Sequence, residues 1–473
     1  MILVSLGLLL LSAVQTNPVK ELIVIAWLAS LVMVGLRNIG AALGIYVGAV
    51  ALFSGHHSVG KISVFDRPDH AALFVLLVEM GLFRMRRRGW FSVDWLALVA
   101  CGFLAYGLVN GFLTGTFAMW KMEHFARMFG IPFVLALVAL RARPTPKDVL
   151  SFLLAVSIVA GYSAWLSILW VADLRELIFP TWINDPLLAE SSRAGGIIMH
   201  PGHNGKLLGL VFAIVVLLYR HWIKGPGRLL LVALGAALLL GVYFSYSRGA
   251  YLGTSIVILI LFWQSSGRGR RTALKRALLM GSVAIGLSAA VLSPPAMLKS
   301  RVTKEETILW RFEVWKIAVR MVPKRPLFGY GFNAYSDNAA DFFEGSDILK
   351  LENLESGAPA VHNTFLNIII EFGMVGFSLY IATLYFLFRR AALSAHRLWG
   401  REGVAWVVVF LMAYLIPGQF SVAHEPTGNL VLFCTPALLG GMVVRRRYAD
   451  ALSNGMRAFP GAPPAGRFEL RAS

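Results

Sequence analysis

Charge is scarce in this chain. Asp, Glu, Lys and Arg make up 15% of its 473 residues, where a soluble domain carries roughly a quarter. That scarcity argues against an ordinary soluble fold. Cysteine is nearly missing too: Cys101 and Cys434 lie in separate apolar runs with no neighbouring ligand. They read as small buried hydrophobes and exclude a disulfide framework. Soluble-enzyme signatures are also absent, with no phosphate-binding P-loop, no dinucleotide glycine fingerprint, no HExxH and no kinase-like set. No internal repeat is visible.

What the chain has instead is long apolar runs. Its hydrophobic content is 57% and its mean hydropathy +0.68. LVALGAALLLGVYF, TSIVILILFW and FSLYIATLYFLF are examples. Such runs predict membrane-spanning helices, whose backbone polar groups are satisfied within the segment. The opening MILVSLGLLLLSAVQ lacks a basic leader and a small-residue cleavage site, so it reads as a first span. About fourteen spans are expected, near 1–16, 20–36, 39–53, 70–83, 92–113, 125–140, 149–172, 205–219, 229–246, 249–264, 277–293, 363–388, 404–421 and 429–444. The first three are short, and merging two of them gives twelve. The expected fold is an all-α polytopic bundle of 12–14 transmembrane helices with a large outer loop. Its segments are N-terminal spans 1–189, an arginine-bearing region 190–293, the loop 294–361, C-terminal spans 362–447 and a disordered cytoplasmic tail 448–473.

The net charge of +19 does not point to nucleic acid, because of where it lies. Half of the 44 lysines and arginines fall in six short breaks: 84–88, 141–147, 220–228, 268–276, 389–401 and 445–447. The alternate breaks hold few, among them Arg193 and Arg248, with Arg127 and Lys206 at helix edges. This is the positive-inside pattern, and it predicts both termini in the cytoplasm. The loops 173–204 and 294–361 then face outward. In the second, Ile308, Phe312, Trp315, Val319 and Val322 recur at helical spacing, predicting an amphipathic helix on the membrane surface or over the bundle. Pro323 should stop it.

Eight of the ten histidines fall outside on this topology: His56, His57, His70, His124, His200, His203, His362 and His424. Taken singly, most are loop or interface residues. His200 and His203 form HxxH, but no third ligand follows at metal-binding spacing, so no metal site is expected. Arg248, in FSYSRGAYLG, sits at a hairpin tip at the outer boundary. It either snorkels to lipid phosphate or binds an anionic ligand bidentately, and its position alone does not choose. Arg193 lies beside two glycines that would let a ligand approach the backbone. Asn363 suits a helix cap where the chain returns to the membrane, with His362 beside it. From position alone capping is the simpler reading. An outer-face enzyme has no ATP, so any group transfer there would draw on a pre-activated donor such as a lipid diphosphate.

In order, SYSRGAYLG, LWRFEVWKIAVRMVPKRPLFGYGFNAY and HNTFLNIIIEFGMVGFSLY resemble the signature region of the O-antigen ligase and polysaccharide polymerase superfamily. SRAGGIIMHPGHNGKLLG resembles the preceding outer loop of that family. The resemblance implies an inner-membrane, GT-C-type glycosyltransferase of lipopolysaccharide or exopolysaccharide biosynthesis. It would take a glycan from undecaprenyl diphosphate at the periplasmic face, inverting at the anomeric carbon, with no metal or cofactor. The acceptor would be lipid A–core for a ligase, the reading adopted here, or the next lipid-linked repeat unit for an O-antigen or exopolysaccharide polymerase. By the resemblance, Arg193 and Arg248 would bind the donor diphosphate and His362 would orient or deprotonate the acceptor hydroxyl. Arg311 matches the arginine of the amphipathic helix. HPGHN departs from the Asn-Pro-Asn more usual there, which leaves His200 and His203 open. A lipid-linked glycan transporter without catalysis is the rival of another class. It would need charges deep in the spans, which hold few beyond Glu79 and Glu371. A structural scaffold would leave the outer arginines and His362 unexplained.

Overall fold

The computed structural model describes residues 2–11, 19–53, 68–85, 94–184, 193–265, 305–343, 361–420 and 425–442. The expected span at 277–293, loop stretches 294–304 and 344–360, His56, His57, His424 and the tail 448–473 lie outside the described residues. The protein is an all-α polytopic membrane protein, with no strand among the described residues. Its helices are α1 (Ile2–Leu11), α2 (Val19–Gly35), α3 (Ile39–Phe53) and α4 (Pro68–Met85). Then come α5 (Trp95–Leu113), α6 (Met119–Arg141), α7 (Pro146–Val171), α8 (Pro201–Trp222), α9 (Gly227–Phe244) and α10 (Arg248–Ser265). An outer helix α11 (Glu305–Met321) precedes α12 (Thr364–Gly418) and α13 (Pro426–Gly441). By length and composition α5 to α9 and α12 can cross a membrane, whereas Leu22–Gly35, Ile39–Phe53 and Arg248–Leu261 are apolar but shorter. Outward-facing Leu98, Val109 and Phe112 on α5 and Leu229, Leu230 and Val232 on α9 form a surface suited to lipid. Inside, Phe103 packs on Phe129 and Phe372, each 5.4 Å away between ring centroids.

Two expectations about α12 need correction. The basic stretch 389–401 is not a loop. Helix continues through it to Trp399 and turns only at Gly400, where φ is +62°. Arginine, alanine and leucine are good helix formers, so charge ended the membrane crossing without ending the helix. The second break, at Gly373 (φ +63°, ψ −172°), lies inside the expected span 363–388.

The Gly373 break is filled by backbone from the loop before it in sequence. A helix interrupted there leaves N–H groups and carbonyls without partners in the helix. Residues 326–331 supply them: Met374 N–H donates to Pro326 O at 2.8 Å and Val375 N–H to Leu327 O at 3.2 Å. In return, Tyr330 and Gly331 N–H groups donate to Ile370 and Glu371 carbonyls, each at 2.9 Å. From α5, Tyr106 Oη donates to Phe372 O at 2.7 Å and Asn110 Nδ2 reaches Phe328 O. The GYG and EFG stretches are therefore one interlocked joint. An added Cβ at Gly373 would lie 2.2 Å from Leu327 O, whereas one at Gly400 would meet nothing within 4 Å. Both glycines hold positive φ, so both alanine variants carry a backbone penalty of about 1–3 kcal/mol. Gly373→Ala should add the clash and lower the unfolding midpoint in detergent clearly more than Gly400→Ala. Equal shifts would show that the joint is loose.

The outer helix forms where expected and ends at Met321, with Pro323 in the following turn. Its buried face differs from expectation. Val314, Ile317, Ala318 and Met321 are fully buried against Tyr330, Tyr335 and Ala339, while Phe312 and Val319 are about half exposed. The helix thus has two apolar sides, one on the loop's own core and one turned out.

Candidate functional site

The alternation of helices gathers particular side chains at one end of the bundle. Arg193 lies between α7 and α8. Its Nε donates to Ser245 O at 3.2 Å, and the next residue's N–H donates to Phe244 O at 3.3 Å. These bonds satisfy carbonyls at the C-terminus of α9 and hold the Arg193 segment against the turn that leads to Arg248. Arg248 opens α10 and is exposed. Arg311, on α11, is half-buried. Burial disfavours its charge, and next in weight come the positive charges of Arg248 and Arg193. An arginine stays charged regardless, so three guanidiniums repel one another across a partly dry space. Such a field is complementary to an anion.

His362 stands beside this cluster. The Trp315 indole donates to Val361 O at 2.9 Å, so α11 holds the backbone that carries His362. The His362 ring rests 5.7 Å from Trp310, between centroids. Burial, then Arg311, then His200 push its pKa down to about 4. The unperturbed value near 6.5 expected for a histidine therefore does not apply, because its surroundings are cationic and partly dry. The imidazole is neutral at physiological pH and able to accept a proton. Asn363 does cap α12, accepting from Phe365 and Leu366 N–H at 3.1 and 3.0 Å, and its Nδ2 donates to Gln419 at 3.3 Å. Capping and a role for His362 are thus compatible, since different residues serve them.

His200 caps α8 through Nδ1, which accepts from His203 N–H at 3.2 Å. The two rings lie 4.2 Å apart. Among the described residues no group of three His, Cys, Asp or Glu could hold a metal ion. The glycines beside Arg193 do not serve as a ligand approach. A Cβ on Gly195 would meet Met199 backbone at 2.4 Å, and one on Gly196 would meet Ser163 Oγ at 2.3 Å. They are glycine because the fold packs there. Three of the six non-glycine residues with positive φ among the described residues lie by these segments: Met199, Tyr246 and His362, at 64°, 46° and 49°. Non-glycine residues seldom adopt this conformation, and it gathers at functional sites.

Sequence reasoning missed three neighbours. Trp310 adjoins Arg311 in sequence, and a helical wheel centred on Arg311 would have drawn attention to it. Tyr246 carried no signal beyond its place in SYSR. Lys206, read as a helix-edge residue, is 2% exposed, with its ammonium 4.2 Å above the Tyr414 ring. It joins Glu79 and Glu371 among buried charges, but the three sit in separate places: α8 against Tyr414, α4 against Gly35 of α2, and the Gly373 joint.

The opposite end of the bundle is basic. Arg390 and Arg141 both reach Asp94, at 2.6 and 3.9 Å. His221 and Trp222 meet Trp399, at 5.0 and 6.2 Å between ring centroids. The family model described as O-antigen ligase matches residues 232–381, about a third of the chain. The matched stretch contains Arg248, Arg311, the Gly373 joint and His362. Arg193, His200 and His203 precede it. A search of curated proteins found no match to this chain.

Proposed function

We propose, on that family match, that the protein is a periplasm-facing glycosyltransferase of the bacterial inner membrane, acting as an O-antigen ligase. Donor glycan would be held as its undecaprenyl diphosphate, and the acceptor would be the sugar of lipid A–core. The observation that carries this reading is the convergence of Arg193, Arg248 and Arg311 with neutral His362 at the end of the bundle away from the basic breaks. The positive-inside rule puts that end outside. The match to the O-antigen ligase family model supports lipid-linked saccharide substrates.

The acceptor hydroxyl attacks the anomeric carbon from the face opposite the diphosphate. A new C–O bond forms as the bond to diphosphate oxygen breaks, which inverts the centre. The hydroxyl proton passes to His362, and the electron pair leaves with undecaprenyl diphosphate. Arg193 and Arg248 bind the diphosphate and stabilise its growing charge, with Arg311 completing the field. Trp310 and the strained backbone fix the imidazole. His200 lies near enough to act on the His362 charge, and no metal takes part.

Reconstitution tests this directly. Purified protein in liposomes, given undecaprenyl-diphosphate-linked glycan and lipid A–core, should form glycan-capped lipid A–core and should do so equally in EDTA. Activity lost to EDTA and restored by a divalent cation would overturn the metal-free step. Elongation of the lipid-linked glycan without acceptor would identify a polymerase, which shares these motifs. Movement of donor across the bilayer with no new glycosidic bond would identify a transporter.

A further inference from the structure

At the basic end, a cavity of about 390 Å³ opens between the N-terminus of α5, the second limb of α12 and the C-terminus of α13. Phe386, Arg390, Leu393 and Arg397 line it from one face of α12, at spacings of four, three and four, with Arg389 alongside. Trp95 closes the other side. The walls are apolar yet open: Trp95 is 68% and Leu393 51% exposed.

The charges in this cavity do not balance. Asp94 is its carboxylate, and that carboxylate is already engaged. One oxygen caps α5 by accepting from Ala97 N–H at 2.9 Å, and the other accepts from Arg390 at 2.6 Å. Arg141 lies 3.9 Å from the capping oxygen. Arg389 and Arg397 are exposed and form no ion pair among the described residues. Depth matters as well. The limb 374–399 rises about 1.5 Å per residue, so it outruns a hydrocarbon core about 30 Å thick. Arg389 to Arg397 occupy the far end of that limb, where it leaves the core on the basic side.

We propose that this cavity binds an anionic phospholipid, its phosphodiester between Arg389 and Arg397 and an acyl chain along Trp95, Phe386 and Leu393. The two arginines attract a phosphodiester by charge, which lysine also supplies, and basic pockets between spans at the cytoplasmic leaflet suit such head groups. The apolar walls favour a lipid over free phosphate, which would leave them wet. This site is remote from the proposed transfer site and does not depend on it.

Native mass spectrometry of the full chain in detergent can test the proposal, with dioleoylphosphatidylglycerol and dioleoylphosphatidylcholine as probes. Wild type should retain the phosphatidylglycerol preferentially. Arg389→Gln with Arg397→Gln should weaken it about tenfold or more, the order expected for two basic groups at a lipid surface. The matching lysine pair should keep most of the binding. Arg401→Gln, basic and nearby but outside the lining, should change little. Both replaced arginines are exposed, and an unchanged melting profile verifies the fold. If the double glutamine variant fails that check, the decision rests on the lysine pair and on Leu393→Ser, which should weaken phosphatidylglycerol without removing charge. Wild-type retention by the glutamine pair would overturn the site, as would an equal loss in Arg401→Gln. So would displacement of all bound lipid by excess inorganic phosphate, which would mark a site for the free ion.

Discussion

Arg248→Ala should cut glycan transfer by about 10²–10³-fold, the range seen when one preorganised donor to a developing negative charge is removed. The reason is position. Arg248 is exposed at the start of α10, so a ligand can reach it, and it is close enough to weigh on the charge of half-buried Arg311. Arg248→Lys should be nearly as poor, because one ammonium cannot replace the planar fork that meets two phosphate oxygens. Arg193→Ala should also lose transfer, but with some loss of stability, since its Nε also bonds Ser245 O. In-membrane amounts of Arg248→Ala should equal wild type. Transfer would be measured with saturating acceptor while donor is varied. Wild-type rates in both Arg248→Ala and Arg193→Ala would mean that these arginines only snorkel to lipid phosphate, and the proposed donor site would fall.

The helices and the order of the motifs were legible in the sequence because both rest on one-dimensional signals. Apolar run length reports a span, and the bounds of α3 and α9 to within two residues followed from it. α6 begins six residues earlier than expected, since its first two turns carry Lys121, Glu123 and His124. That polarity looked like loop, but Lys121 is held by Asp337 at 2.6 Å, 216 residues away. The buried side of α11 was illegible for the same reason. Phe312 and Val319 are as apolar as Val314 and Ile317, so the pattern offers two faces, and Tyr330 and Tyr335 choose Val314, Ile317 and Ala318. The sequence marked Arg193, Arg248, Arg311 and His362 singly, through resemblance. It did not show that the glycine motifs on either side of His362 form a joint. That joint fixes α11, and α11 fixes the His362 backbone through Trp315.

His362→Ala should lower transfer by about 10²–10⁴-fold, the usual cost of losing a general base, while donor binding persists through the arginines. His362→Gln should be equally poor if the imidazole takes the proton, and partly active if it only orients the hydroxyl. The pH profile separates the two roles further. In the free protein, burial and the positive charges of Arg311 and His200 hold the His362 pKa at about 4. The base is then neutral and competent above that value, so kcat/KM should stay flat from neutral pH down to about pH 5 and fall only below it. Bound diphosphate adds negative charge among the same arginines. Negative charge favours the imidazolium, so the pKa in the donor complex must rise. The acid limb of kcat should therefore lie at higher pH than that of kcat/KM, and His362→Gln should lose both limbs. Coincident limbs in wild type would show that donor and His362 do not share one field. Near wild-type transfer by His362→Ala would move the search for the base to His200, His203 and the acidic residues of the large loop.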